Sequence, residues 1–260
     1  MAAYETILVA AAQSACVITL NRPERRNAIS LRLMQDFTNA LTEAAASSAT
    51  RSVIVTGGLD CFSAGRDLKE SAQSSPDERE HARLAWRRVT DTIEALTLPV
   101  VAAIEGHCLT GGLELALACD LRVAAAGASF GVTSARLGSI PGFGATQRLP
   151  RLIGVSRAFE ILFSANPIDV DEAWRIGLIN RKTAKGAALA EALAMVEIYQ
   201  ERAPLSLATI KQAVRQGMAL DLQAALDLEL RLGATLAGTA DRAEGMAAFA
   251  QKRKPRFQGR

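Results

Sequence analysis

Two stretches of this 260-residue chain combine residue types that could do chemistry. One is Ile104-Glu105-Gly106-His107-Cys108-Leu109-Thr110-Gly111-Gly112-Leu113-Glu114, and the other is Phe62-Ser63-Ala64-Gly65-Arg66-Asp67-Leu68. Each places small residues after an apolar run that reads as a strand, where backbone N–H groups are left free. The first also opens a helix, whose first N–H groups lack an intrahelical acceptor and whose dipole favours negative charge. Two such N–H groups converging on one oxygen make an oxyanion hole, and losing one donor costs about 2.7–4 kcal/mol of transition-state stabilisation. Glu114 lies one turn into that helix, among Leu113, Leu115, Ala116, Leu117 and Ala118. A carboxyl group in apolar surroundings is held towards its protonated form, which suits acid/base work. The same features also have purely structural uses: glycines serve turn geometry, and an acid in a first helical turn complements the dipole.

Other patterns carry less. Gly127-Ala128-Ser129-Phe130-Gly131 fits the GxSxG elbow, but a hydrolase of that class has its His after the Ser, and both His81 and His107 precede Ser129. Gly142-Phe143-Gly144 matches part of a dinucleotide fingerprint, yet it follows no strand and Gln147 stands where the third Gly belongs. No P-loop sequence occurs. Cys16, Cys61, Cys108 and Cys119 have no metal-type spacing, and two histidines cannot by themselves build a metal site. No metal is expected.

The elements that must position these residues follow from apolar periodicity. Strands are predicted at Cys16 to Leu20, Ser52 to Thr56, Val100 to Ile104 and Leu121 to Ala125. Ser30 is an N-cap for a helix over Leu31 to Ala46, with Leu31, Met34, Phe37 and Leu41 at helical spacing. Pro76 and Asp77 open a helix running to about Leu96, stopped by Pro99, and Leu113 to Cys119 form a short apolar helix. Residues Asp60 to Pro76 have little periodicity and read as a binding loop. After Pro150 the strand signal nearly vanishes. Helical patterns then cover Val155 to Phe163, Asp169 to Arg175, Ala187 to Arg202, Leu205 to Gly217, Leu222 to Leu236 and Ala240 to Ala250. Strand and helix alternation over the first 150 residues argues for a layered α/β domain.

Hydrophobic residues make up 49% and aromatics 5%, enough for a sizeable core packed from Ala, Leu, Val and Ile. The formal charge of +3 is too small to argue for a nucleic-acid partner, although Arg22, Arg25 and Arg26 cluster near the start and Lys252, Arg253, Lys254, Arg256 and Arg260 crowd the end. No apolar run is long enough to span a bilayer, and the first residues lack a secretory pattern. A cytoplasmic, reducing setting without a membrane is the expectation.

The chain resembles the crotonase superfamily, the enoyl-CoA hydratase/isomerase family, over almost its whole length. The resemblance rests on Asn21-Arg22-Pro23 and Asn27-Ala28, the Phe62 to Leu68 stretch, Gly111 to Ala116 and Cys119-Asp120. It continues through Phe130-Gly131, Leu137 to Gly142, Thr146 to Pro150 and Glu244 to Phe249. It implies an α/β fold: a ββα spiral core binding acyl-CoA, set at residues 1–200, and a C-terminal helical oligomerisation region at 201–260, assembling as a homo-trimer or hexamer. It implies an acyl-CoA thioester substrate, with coenzyme A part of the substrate and no separate cofactor. The thioester oxygen is held by backbone N–H groups that match Arg66 and Gly111. The CoA moiety follows a path matching Arg25, Ala28, Ala64, Asp67 and Leu68, with Arg25 and Arg26 at its phosphates. Glu114 matches the first of the two glutamates of the family's hydratases.

The second glutamate is absent. Its position, just before Leu137-Gly138, matches Ser134, and no Asp or Glu occurs between Asp120 and Glu160. A serine hydroxyl cannot act as a strong acid, but it can hydrogen-bond a water. The expectation is therefore a hydratase-like lyase with Glu114 as the main acid/base and Ser134 at the second position. The alternatives are another reaction of the family (dienoyl-CoA hydration, isomerisation, C–C or thioester hydrolysis, decarboxylation) or acyl-CoA binding without turnover.

Overall fold

The computed structural model describes residues 4–260. Its ten strands are β1 (Ile7–Ala12), β2 (Ala15–Leu20), β3 (Ser52–Thr56), β4 (Cys61–Ser63), β5 (Val100–Ile104), β6 (His107–Leu109), β7 (Leu121–Ala125), β8 (Ser129–Gly131), β9 (Ile168–Asp169) and β10 (Arg181–Thr183). The helices of the first part are α1 (Leu31–Ala46), α2 (Leu68–Gln73), α3 (Pro76–Ala95), α4 (Gly111–Ala118), α5 (Ala145–Ile153) and α6 (Val155–Ser164). Those that follow are α7 (Val170–Arg175), α8 (Ala188–Gln200), α9 (Pro204–Gly217), α10 (Leu222–Thr235) and α11 (Ala240–Ala250).

The strands form two sheets. The larger has the order β1-β2-β3-β5-β7-β10, antiparallel only between β1 and β2. The smaller has the order β4-β6-β8-β9, with only β8 and β9 antiparallel. Successive passes of the chain add one strand to each sheet, so a spiral builds up. The central strands of the large sheet are buried on both faces, which is why they read as unbroken apolar runs. Val53 and Val55 face a core shared with α1, α3 and α4, while Ile54, between them, faces Ala188, Ala192, Met195 and Val196 of α8.

Local signals set the helix starts. Ser30 accepts a hydrogen bond from Leu33 N at 3.1 Å, as the sequence predicts. Ser75 and Glu78 form a reciprocal capping box with Pro76 at the first turn of α3. The predicted binding loop Asp60 to Pro76 is more ordered than expected: it contains β4 and α2. A three-residue strand has no periodicity of its own and exists only through its partners, so β4, β6, β8 and β10 left no signal. Helix α5 was also missed, because Pro150 lies inside it.

Helix α8 packs on the large sheet, whereas α9 and α10 pack against each other and bury no residue fully. Polar ties hold α9 to the core. Lys211 Nζ meets Asp120 at 2.8 Å and the carbonyls of Ile93 and Leu98, and Arg215 bridges Asp120 and Glu94. Among the described residues, no helix is long and apolar enough to cross a membrane.

Candidate active site

Where β6 ends, the chain turns into α4 at Gly111, and where β4 ends it turns at Gly65 and Arg66. The parallel pairing of β4 with β6 brings these two turns together. A Cβ placed on Gly111 would lie 3.3 Å from Arg66 N, and one on Gly65 would lie 3.1 Å from Gly111 N. Gly65 also has a φ of +101°, a conformation that suits only glycine. Gly112 is required by contact: a Cβ there would lie 2.6 Å from the carbonyl of Ser63. Neither Arg66 N–H nor Gly111 N–H donates to a turn or cap acceptor. Two adjacent, free N–H groups, one of them at the start of a helix, are the donor pair that an oxyanion hole needs.

Glu114 is 1% exposed. Its Oε1 accepts from Phe143 N at 2.8 Å and from Ala145 N at 3.0 Å. These amides lie at the start of α5, so the carboxylate also faces the positive end of that helix dipole. Among the described residues, Oε2 has no hydrogen-bond partner. Burial raises the Glu114 pKa; the Ala145 and Phe143 amides and the Arg148 charge pull it down, and the balance lies at about 7. A group divided between acid and base near neutral pH suits proton transfer.

The amide pair is itself held. Arg148 donates to the Phe143 carbonyl at 2.9 Å and pairs with Glu94 at 2.7 Å. The Phe143 ring lies 4.2 Å from that of buried Trp86. The sequence suggested a failed dinucleotide motif at Gly142-Phe143-Gly144; its place in the fold is the turn that grips Glu114. Nothing local to Glu114 signalled this, because the partners lie 29 and 31 residues on.

A cavity of about 520 Å³ opens over these groups. Its lining includes Ala64, Arg66, Leu68, Glu114 and Ser134, with Trp86, Thr110 and Thr133. Ser134 is buried and begins a short 3-10 turn. Three other glutamates line the cavity, Glu70, Glu78 and Glu80, and all three are exposed. Glu114 is thus the buried carboxyl group of the cavity. Gly111, Arg25, Arg26, Ala28 and Asp67 do not line it. Arg25 and Arg26 are exposed, and Ala28 is half-buried beside them. The Asp67 carboxylate caps α2 through Lys69 N and Glu70 N and pairs with Arg22 at 3.0 Å.

Thr110, which precedes the oxyanion turn, has φ +46° and ψ −111°. That region belongs to glycine, and a β-branched residue there stores about 1–3 kcal/mol. Its hydroxyl pairs with the Thr133 hydroxyl at 2.9 Å and accepts from Thr133 N at 3.2 Å.

The GxSxG decoy has an unexpected neighbour. His107 Nδ1 lies 2.8 Å from Ser129 Oγ, so chain order did not keep the two apart. The pair sits on β6 and β8, with His107 exposed, and lies outside the cavity.

Comparison with known proteins settles the family. The model of the enoyl-CoA hydratase/isomerase family matches residues 10–260. The chain belongs to this family. It is 36% identical to the crotonyl-CoA hydratase of Syntrophomonas wolfei, covering 98% of each sequence. It is 39% identical to the mitochondrial methylglutaconyl-CoA hydratase of Mus musculus, over 94% of this chain and 79% of that one. The crystal structure of an enoyl-CoA hydratase from Bacillus anthracis superposes with a TM-score of 0.95 at 39% identity, covering 98% of this chain and all of that one. The crotonase-type fold expected from the sequence is therefore the fold of this protein, an enzyme of the crotonase family, and the three relatives just described are named as hydratases.

Proposed function

We propose that this chain adds water across the double bond of an α,β-unsaturated acyl-CoA, with Glu114 as the principal acid/base. The observation that carries the reading is the state of that carboxyl group: one oxygen is fixed by two amides, the other has no partner among the described residues, and the group is buried at a cavity that Arg66 also lines, one helical turn after Gly111. Donors aimed at the thioester oxygen draw electron density from the β-carbon and stabilise the enolate-like state that follows attack. Ionised Glu114 takes a proton from water as the water oxygen bonds to the β-carbon, and protonated Glu114 then gives that proton to the α-carbon, which completes the addition and restores the carboxylate. Ser134 lines the same cavity and serves as a hydrogen-bonding partner for water or substrate, not as a second acid. The CoA portion runs from exposed Arg25 and Arg26, whose charges suit phosphates, past half-buried Ala28 towards Ala64, Asp67 and Leu68. No separate cofactor is required.

Hydration of a short enoyl-CoA, followed by loss of the conjugated absorbance, tests this directly. Glu114→Gln is expected to lower kcat by about 10²–10⁴-fold. Unchanged turnover would refute it. The absence of any other buried carboxyl group in the cavity favours one alternative, a different reaction of the family on an acyl-CoA. Product analysis over a panel of CoA thioesters distinguishes the two, and tight CoA binding without turnover on any of them would identify a binding protein. Ile210, Val214, Leu222 and Leu230 expose apolar side chains on α9 and α10, as does Met218 just after α9, which supports burial between copies in a trimer or hexamer.

A further inference from the structure

We propose that Thr110 is a positioning residue for this reaction: its hydroxyl ties the Thr133-Ser134 segment to the oxyanion turn, and so fixes Ser134 relative to Glu114. This rests on the hydration reading above. Thr110 stands at a junction of the site. Its N–H donates to Gly131 O at 2.7 Å, its carbonyl accepts from Glu114 N at 2.9 Å, and the next residue is Gly111. Its side chain makes the double contact with Thr133, the neighbour of Ser134. Thr110, Thr133, Ser134 and Glu114 all line one cavity.

The backbone at Thr110 explains why the contact is informative. Glycine would adopt φ +46° and ψ −111° readily, whereas threonine is strained there. What threonine has and glycine lacks is a methyl group and the hydroxyl, and the hydroxyl has two partner atoms on Thr133, just past the end of the neighbouring strand β8. The strain is thus coupled to a link between the oxyanion turn and the Thr133-Ser134 segment beside it. Without a second carboxyl group, addition of water depends on where the Ser134 wall holds it, and a small displacement of such a wall costs rate rather than binding.

Three variants separate this role from a structural one. Thr110→Val keeps the shape and the strain but removes the hydroxyl, and is expected to lower kcat about tenfold with KM changed less than about twofold. Thr110→Ser restores the hydroxyl and is expected to recover most of the rate. Thr110→Gly relieves the backbone, so it folds, and is expected to show no loss of melting temperature while remaining as slow as Thr110→Val. In a Ser134→Ala background the Thr110→Val effect is expected to shrink below about twofold, since residues acting through one another are not additive. The proposal is overturned if Thr110→Val retains full kcat, if Thr110→Ser is as slow as Thr110→Val, or if the Thr110→Val loss is the same with and without Ser134. Glu114→Gln is assayed alongside: a fast Glu114→Gln refutes the hydration reading itself, whereas a slow Glu114→Gln with a fast Thr110→Val refutes only the role of Thr110.

Discussion

Replacing Glu114 with Gln is expected to make the protein relatively more stable as the pH rises, while making it a poorer enzyme. Burial raises the Glu114 pKa from 4.5 to about 7, against the opposing amides and Arg148. In the unfolded chain the group ionises near its ordinary value. Between those two pH values the folded state therefore holds a proton that the unfolded state has lost, and stability falls as pH rises. The stabilisation is fully present below about pH 4.5 and is lost by about pH 7. Each pH unit is worth about 1.4 kcal/mol, so the whole interval corresponds to about 3 kcal/mol. Gln cannot ionise. Its buried amide adds a fixed cost, but that cost does not vary with pH. The difference in unfolding free energy between Glu114→Gln and the parent chain should thus shift by about 3 kcal/mol in favour of the variant between pH 4.5 and pH 8. For a chain of this length that is a relative change in Tm on the order of 6 °C. Parallel Tm-against-pH curves for the two proteins, measured by calorimetry at fixed protein concentration, would show that the carboxyl group is not strained by burial and would remove the physical basis of its acid/base role.

Two further outcomes follow from the surroundings of Glu114. Arg148→Met removes a positive charge that lowers the Glu114 pKa and releases the Phe143 carbonyl; the rising limb of the hydration rate, expected near pH 7, should move to higher pH, and an unmoved pH–rate profile would refute the coupling. Gly112→Ala would place a Cβ 2.6 Å from Ser63 O, which should force the two turns of the oxyanion pair apart, costing about 1–3 kcal/mol in denaturant unfolding and lowering kcat; a variant with unchanged stability and rate would show that the turns have more freedom than this geometry allows.

Much of the turn from Gly111 to Glu114 was legible in the chain because its causes are local. Gly111 and Gly112 follow an apolar strand, and the helical repeat then sets Glu114 one turn on, in apolar company. Strands β2, β3, β5 and β7 were legible for a similar reason: burial on both faces writes each of them as a short apolar run. Ser30 announced α1, and Pro76 with Asp77 announced α3, because helix-start signals act within the first turn. What the tertiary structure decided was pairing across the spiral. Phe143 and Ala145 reach Glu114 from 29 and 31 residues away, and Arg22 reaches Asp67 from 45. Thr110 takes up a glycine-like backbone conformation and bonds to Thr133 from 23 residues away. None of these contacts has a sequence period, since each exists only because successive turns of the chain stack their strands side by side. The sequence by itself determined that a carboxyl group would stand in an apolar helix behind free N–H groups. Only the stacking of the turns decided which amides hold that carboxyl group, which of its oxygens stays free, and that a serine shares the cavity with it.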